Sequence, residues 1–394
     1  MNLELPKTRE DIMSQRVYVF DTTLRDGEQS PGVRLSTDEK LEIGRQLVRL
    51  GVDVIEAGFP ISSPGDFEAC QTLARELKGV TICGLTRARD KDIEVAGEAL
   101  RGAERPRIHT GLGVSDNHLQ FKLKMSRDEA LEAGVQAVKL ARQFADDVEY
   151  FMEDSGRADR DYVYRVVENV IAAGATVVNV PDTTGYTYPE EYRSLIQGII
   201  ENVPNSDNAI FSCHCHNDLG MATANTLGGV LGGARQVEVT VNGIGERAGN
   251  TSLEEVVMAL VIRKDYFDCE TGIDSRLLLD TSKLVSRLTG MMVQRNKAVV
   301  GANAYAHSSG IHQDGVLKER TTYEIIDPHL VGAEKSEIIL TARSGRHGLK
   351  HRLAEMGFSF SESRFEDIYE EFLKVADEKK EVTSEDLQEL VGAS

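Results

Sequence analysis

Short apolar runs rich in valine and isoleucine alternate with longer amphipathic stretches over the first two thirds of the chain. The runs read VYVFDTT from Val17, VDVIEAGF from Val52, VTICGLT from Val80 and RIHTGLGV from Arg107. They continue as DVEYFME from Asp147, TVVNVPD from Thr176, AIFSCHCH from Ala209 and VEVTVNGIG from Val237. Such short, β-branched runs fit strands buried on both faces. Between them, stretches such as STDEKLEIGRQLVRLG and SRDEALEAGVQAVKLARQFA carry a helical period. The first opens on Ser36 with Glu39 three residues on, a capping box, and Gly51 closes it. Strand–helix units repeating roughly every 30 residues predict an α/β chain folded as a (β/α)8 TIM barrel. The competing arrangement is an open doubly wound sheet. That fold brings a GxGxxG turn after an early strand, and none follows Val17–Thr23.

The pattern changes after Asn250. SLEEVVMALVIRKD reads as the amphipathic helix that closes the barrel, and from about Thr271 helical patterns dominate. The expected organisation is a catalytic barrel over residues 1–270 and a mainly helical C-terminal region over 271–394. Within the latter, residues 301–332, GANAYAHSSGIHQDGVLKERTTYEIIDPHLVG, are rich in glycine, histidine and polar residues. They read as a functional loop or lid. The tail is charged and helical, with a fresh helix start signalled at Thr383-Ser384-Glu385-Asp386.

Composition narrows the class. The 394 residues are 41% hydrophobic, enough for a large core, and carry a formal charge of -19. That sign argues against non-specific nucleic-acid binding. No stretch approaches the roughly 18 apolar residues of a membrane span. The N-terminus MNLELPKTREDIMSQR has charges of both signs and no apolar core, so no signal peptide is expected. Five cysteines, an odd number without a CxxC pair, point to a reduced, cytoplasmic protein.

Barrel active sites lie at the C-terminal ends of the strands, and polar residues collect there: Arg25 and Asp26 after the first, Glu56 on the second, Glu153 and Asp154 on the fifth, Asp182 and Thr183 on the sixth, His214 and His216 on the seventh, Asn250 beyond the eighth. FSCHCHNDLG alternates cysteine and histidine. On a strand, His214 and His216 share one face while Cys213 and Cys215 take the other, so the four cannot share one metal. The plainer reading is a pair of hydrogen-bonded core histidines. With Asp26 and Asn250 the histidines instead make a mixed nitrogen and oxygen site for Mg2+, Mn2+, Fe2+ or Zn2+, and the oxygen ligands favour Mg2+ or Mn2+. Arg25 beside such an ion would stabilise negative charge developing on oxygen.

Six motifs, DTTLRDGEQSPG, IEAGFPISSPGDFEA, HCHNDLGMATANT, VEVTVNGIGERAGNTSLEEVVMAL, SSGIHQDGVLK and YEIIDP, closely resemble the metal-dependent Claisen-condensing acyltransferases. That family holds the 2-isopropylmalate, citramalate and homocitrate synthases and the HMG-CoA lyases. The forms GFPISSPGDFEA and GIHQDGVLK favour the 2-isopropylmalate synthases. The resemblance implies condensation of acetyl-CoA with 3-methyl-2-oxobutanoate, then thioester hydrolysis, as the first committed step of leucine biosynthesis. It implies Asp26, His214, His216 and Asn250 as metal ligands, and Arg25 as the group steadying the keto oxygen. Glu153, His312 and Tyr323 are implied in the catalytic steps, and Gln29, His109 and Thr183 in substrate binding. Whether His312, Glu153 or a relayed water takes the acetyl proton is left open. The implied cofactors are a divalent ion (Mn2+ or Mg2+, with Zn2+ a further candidate) and K+ as an activator; acetyl-CoA and a 2-oxo acid are the substrates. The implied assembly is a homodimer that exchanges lids, without nucleic-acid or membrane partners. Two departures stand out. IHTGLGVSDNHLQFKLKMS after the fourth strand is less bulky than the family's run, although His109, Ser115, His118 and Lys122 are kept. The chain also stops near where the family's C-terminal regulatory domain begins, so that domain is expected to be absent. Citramalate synthase acting on pyruvate and a carbon–carbon lyase remain the alternatives.

Overall fold

The computed structural model describes residues 16–392, and nearly all of the charged N-terminal stretch, expected to carry no signal peptide, lies outside the described residues. Eight parallel strands close into a barrel in chain order: β1 (Tyr18–Asp21), β2 (Val54–Gly58), β3 (Thr81–Arg87), β4 (Pro106–Gly113), β5 (Asp147–Glu153), β6 (Val177–Asp182), β7 (Ile210–Cys215) and β8 (Gln236–Val239), with β8 pairing back onto β1. Eight helices follow the strands: α1 (Thr37–Leu50), α2 (Pro64–Glu76), α3 (Asp90–Ala99), α4 (Arg127–Ala141), α5 (Arg160–Ala173), α6 (Pro189–Asn202), α7 (Ala222–Leu231) and α8 (Leu253–Ile262). The predicted barrel is the observed one.

Local signals act where the sequence places them. The Ser36 side chain accepts from Glu39 N while Glu39 reaches back to the Ser36 backbone, and Gly51 ends the helix at φ 95°. That left-handed conformation is one that glycine adopts without a Cβ penalty. Two elements are shorter than periodicity suggested. The run from Val237 leaves the sheet after Val239, because Asn242 (φ 63°) and Gly243 (φ 68°) are left-handed and cannot continue a strand. The helix from Leu253 breaks at Arg263 and resumes as one short turn, α9 (Lys264–Phe267).

The chain divides into two compact units, the first ending at Met292 and the second starting at Val293. The first therefore runs beyond residue 270. Its last helix, α10 (Leu278–Thr289), joins the barrel through Gln46 Nε2 to Thr281 Oγ1 at 2.9 Å and Ser282 Oγ to Asn242 Oδ1 at 2.5 Å.

The second unit has its own core, in which Leu340, Leu349, Phe365, Ile368, Phe372 and Leu387 are buried together. Its elements are β9 (Ala306–His307), α11 (Gly310–Lys318), β10 (Glu337–Ile338), α12 (Arg346–Glu355), α13 (Glu362–Glu378) and α14 (Ser384–Gly392). Residues 301–332 are thus not one continuous loop. Buried Gln313 on α11 donates to the carbonyls of His307 and Ile339, tying helix to strand. Thr383 Oγ1 accepts from Asp386 N just before α14, at the start signalled in the sequence. Among the described residues no helix is long and apolar enough to cross a membrane.

Candidate active site

The loop after β1 is folded by its own polar groups. Asp21 accepts from the backbone N of Thr23 at 2.9 Å and from its hydroxyl at 3.0 Å, and Gly27 N donates back to Thr22 O. This turn presents Arg25 and Asp26 beside the end of β7. There His214 Nε2 lies 3.2 Å from His216 Nε2 and 3.4 Å from Asp26 Oδ2, and His216 Nε2 lies 3.9 Å from the same oxygen. All three residues are buried. An isolated bridge pairs the backbone of His216 with that of Asn250. Asn250 spends its amide N–H on Ile244 O, while its Oδ1 and Asp26 Oδ1 are buried without a partner.

Two ring nitrogens facing each other, with a carboxylate and two unpartnered oxygens alongside, are poorly served by hydrogen bonds alone. A divalent cation suits this donor set: two imidazoles, a carboxylate and an amide carbonyl. The electrostatics have the same character. Burial opposes ionisation of Asp26, but the Arg25 guanidinium holds its carboxyl well below the usual range. Burial works against a charged His214, yet Asp26 and Glu238 push it up to about 10. Burial and the neighbouring His214 push His216 down to about 4.

Arg25 is clamped by Nε to Glu56 Oε2 at 2.5 Å and Nη1 to Asp26 Oδ2 at 3.0 Å. Glu56 also meets His109 Nδ1 at 2.8 Å, so His109 is tied to the same network. Lys122 Nζ contacts both Glu153 oxygens at 2.6 Å, and His118 lies 3.4 Å away. Burial would raise the Glu153 carboxyl, but His118 and Lys122 bring it below its ordinary value. Thr183 Oγ1 accepts from Asp154 N at 2.9 Å. The barrel thus gathers Arg25, Asp26, His214, His216 and Asn250, with His109 linked through Glu56. Gln29 is exposed on the turn. His312 and Tyr323 belong to the second unit, where their ring centroids lie 4.3 Å apart with the planes tilted by 34°. Nearby in the same unit, His307 Nε2 lies 2.8 Å from Glu324 Oε1.

Cys213 and Cys215 are buried on the opposite face of β7 from the histidines, and all five cysteines are free. Sequence reasoning passed over Arg107, Glu149 and Glu238, which lie buried in the strands. The available signal was a charged residue inside an otherwise apolar strand, at the same alternation as His109 and His214.

The chain matches two family models, HMGL-like over residues 16–285 and homocitrate synthase post-HMGL domain-like over residues 299–380. Curated relatives named 2-isopropylmalate synthase include one from Pelotomaculum thermopropionicum, 58% identical over 96% of this chain and 75% of its own. One from Pyrococcus furiosus is 55% identical over 96% of this chain and 76% of its own. Among solved structures, an HMG-CoA lyase from Pseudomonas aeruginosa is 24% identical with a TM-score of 0.61, covering 71% of this chain and 95% of its own. Another from Brucella melitensis is 21% identical with a TM-score of 0.59, covering 70% and 99%. At these identities the two structures bear on the fold alone.

Proposed function

We infer the reaction from the family to which the chain belongs: it is a member of the HMGL-like family, in the branch of the 2-isopropylmalate synthases. It is an acyltransferase of leucine biosynthesis that condenses acetyl-CoA with 3-methyl-2-oxobutanoate and hydrolyses the thioester to 2-isopropylmalate and CoA. The observation that carries this reading is the 58% identity to a named 2-isopropylmalate synthase over 96% of the chain.

The residue roles are our proposal. Asp26, His214, His216 and Asn250 hold a divalent ion, Mn2+ or Mg2+ by ligand type with Zn2+ next. Such an ion, when bound, polarises the acceptor's carbonyl. Arg25, fixed by Glu56, faces the keto oxygen and offsets the negative charge that grows there. Thr183 and His109 bind the 2-oxo acid, and Gln29 contributes from the turn. Glu153, ion-paired and ionised, is a weak base for a carbon acid, so we assign it to orienting substrate. His312 then takes the acetyl proton, with Tyr323 assisting in the acid–base steps. Potassium activation, a homodimer exchanging residues 301–332 and a cytoplasmic setting rest on the family resemblance, the last also on five free thiols.

The deciding assay follows release of free thiol from acetyl-CoA with 3-methyl-2-oxobutanoate or pyruvate as acceptor. The branched acid should give the higher kcat/KM. Preference for pyruvate would make the chain a citramalate synthase. Release of acetyl-CoA from a hydroxyacyl thioester, with no condensation, would make it a lyase. The shared site is tested by co-refolding His214→Ala with His312→Ala: about half the dimers are mixed under random pairing, each with one intact site, so the mixture should regain activity approaching about a quarter of wild type. No recovery despite demonstrated mixing would rule out exchange.

A further inference from the structure

TIM-barrel interiors are filled mainly by branched apolar side chains. This one is not. Arg107, Glu149, Ser212, Gln236 and Glu238 are all buried inside the barrel unit. Buried charges are weak evidence for stability, since apolar replacements often serve as well, so their presence asks for another explanation. The contacts run in one direction. Arg107 Nε reaches Asp147 at 2.8 Å, and its Nη1 reaches Glu149 Oε2 at 2.9 Å and Gln236 Oε1 at 2.7 Å. Gln236 Nε2 donates to Glu149 Oε1 at 2.8 Å and to Ser212 Oγ at 2.9 Å. Ser212 Oγ donates to Glu238 Oε1 at 3.2 Å. Glu238 Oε2 then faces His214 Nδ1 at 3.0 Å.

The register of β7 and β8 makes the last steps inevitable. Ser212 pairs with Gln236 and His214 with Glu238, so each pair stands side by side on one face. His214 Nδ1 and Glu238 Oε2 are an ion pair at 3.0 Å, and neither atom has a hydrogen-bond partner of its own. His216 Nδ1 has none at all. Of the two candidate ligands, only His214 has a carboxylate behind it.

We propose that Glu238 is a positioning residue, accepting the Nδ1–H of His214 and thereby fixing its tautomer and ring plane so that Nε2 is presented to Asp26 and His216. The inference rests on the metal-site reading above. A histidine ligand's free nitrogen is oriented by the partner that its other nitrogen finds. Glu238 is itself held by Ser212, and the Arg107–Gln236–Glu149 cluster fixes that arrangement from below. Glu149 supports the picture: burial and the nearby Glu238 push its carboxyl up to about 8, so the two carboxyls need not both be charged.

The experiment uses the full chain freed of metal. Mn2+ alone is titrated against wild type, Glu238→Gln, Glu149→Gln and His214→Ala, with free Mn2+ read by electron paramagnetic resonance. Imidazole 15N NMR of the metal-free protein, recorded above about pH 10 where His214 has released its second proton, reports the tautomer of the neutral ring. Glu238→Gln should weaken Mn2+ binding by roughly 10–100-fold at unchanged circular dichroism and mix the tautomers. Glu149→Gln, an isostere of the protonated acid, should stay within about threefold of wild type, below that outer-shell range. Glu238→Gln binding Mn2+ like wild type, or Glu149→Gln losing as much as Glu238→Gln, overturns the proposal. If Glu238→Gln does not fold, the wild-type spectrum decides: a proton on Nε2 of His214 overturns it, and one on Nδ1 supports it. His214→Ala retaining wild-type Mn2+ affinity would instead sink the metal-site reading, which the tautomer measurement does not depend on.

Discussion

At the residue scale, neighbours in sequence do opposite jobs. His214→Ala and His216→Ala should each lower Mn2+ affinity by about 100-fold or more, beyond the usual outer-shell effect, and abolish turnover while the barrel stays folded. Cys213→Ala and Cys215→Ala should leave affinity unchanged and cost about 1 kcal/mol, as for a small buried truncation. A titration with a chemical unfolding curve on each variant checks the contrast; loss of metal affinity in a cysteine variant would break it. Glu149 yields a pH prediction. Its carboxyl is raised in the fold from 4.5 to about 8. Across that window the folded chain keeps a proton that the unfolded chain has released. The stabilisation is therefore complete below about pH 4.5 and lost as pH rises through about 8. Glu149→Gln should flatten the stability profile between those limits. Urea midpoints at a series of pH values would show it, and a slope equal to wild type would mean that Glu149 is ionised in the fold.

Elements are held by features that can be tested singly. The helix α7 packs against β7 and α6 without a side chain at Gly229, where a Cβ would collide with Cys213 Sγ and the Tyr192 ring. Gly229→Ala gains helix propensity but overpacks a closed interface, so a net loss of about 1–3 kcal/mol is expected. Ser36→Ala removes one half of the capping box on α1 and should cost about 1 kcal/mol. Thermal unfolding of both variants separates the effects: a more stable Gly229→Ala would mean that β7 and α6 yield easily at that position.

For the molecule as a whole, two units with separate cores imply two unfolding events. Phe372 is fully buried in the second unit's core. Phe372→Ala should cost that unit about 3–5 kcal/mol, a large part of a typical domain's stability. Calorimetry should show its transition moving down. Mn2+ affinity should be kept, since the four candidate ligands all lie between residues 26 and 250. Loss of both together would show that the units unfold as one.

Local rules made much of this chain readable from its letters. Eight apolar runs at a regular spacing dictate eight buried strands. Ser36, Gly51 and Thr383 mark helix ends because capping is chemistry between near neighbours. Alternation along β7 alone separates His214 and His216 from the cysteines between them. What sequence could not decide depends on closure of the barrel. Closure sets the register of β8 against β7, and with it the meeting of Glu238 and His214. The early end of β8 follows from left-handed residues at 242 and 243, whose conformation is settled by the loop that returns Asn250 beside His216. Arg107 and Glu149 come from the consecutive strands β4 and β5 and Gln236 from β8, and no local pattern marks them as one network. Their meaning arises only when the sheet closes and leaves them no water to turn to.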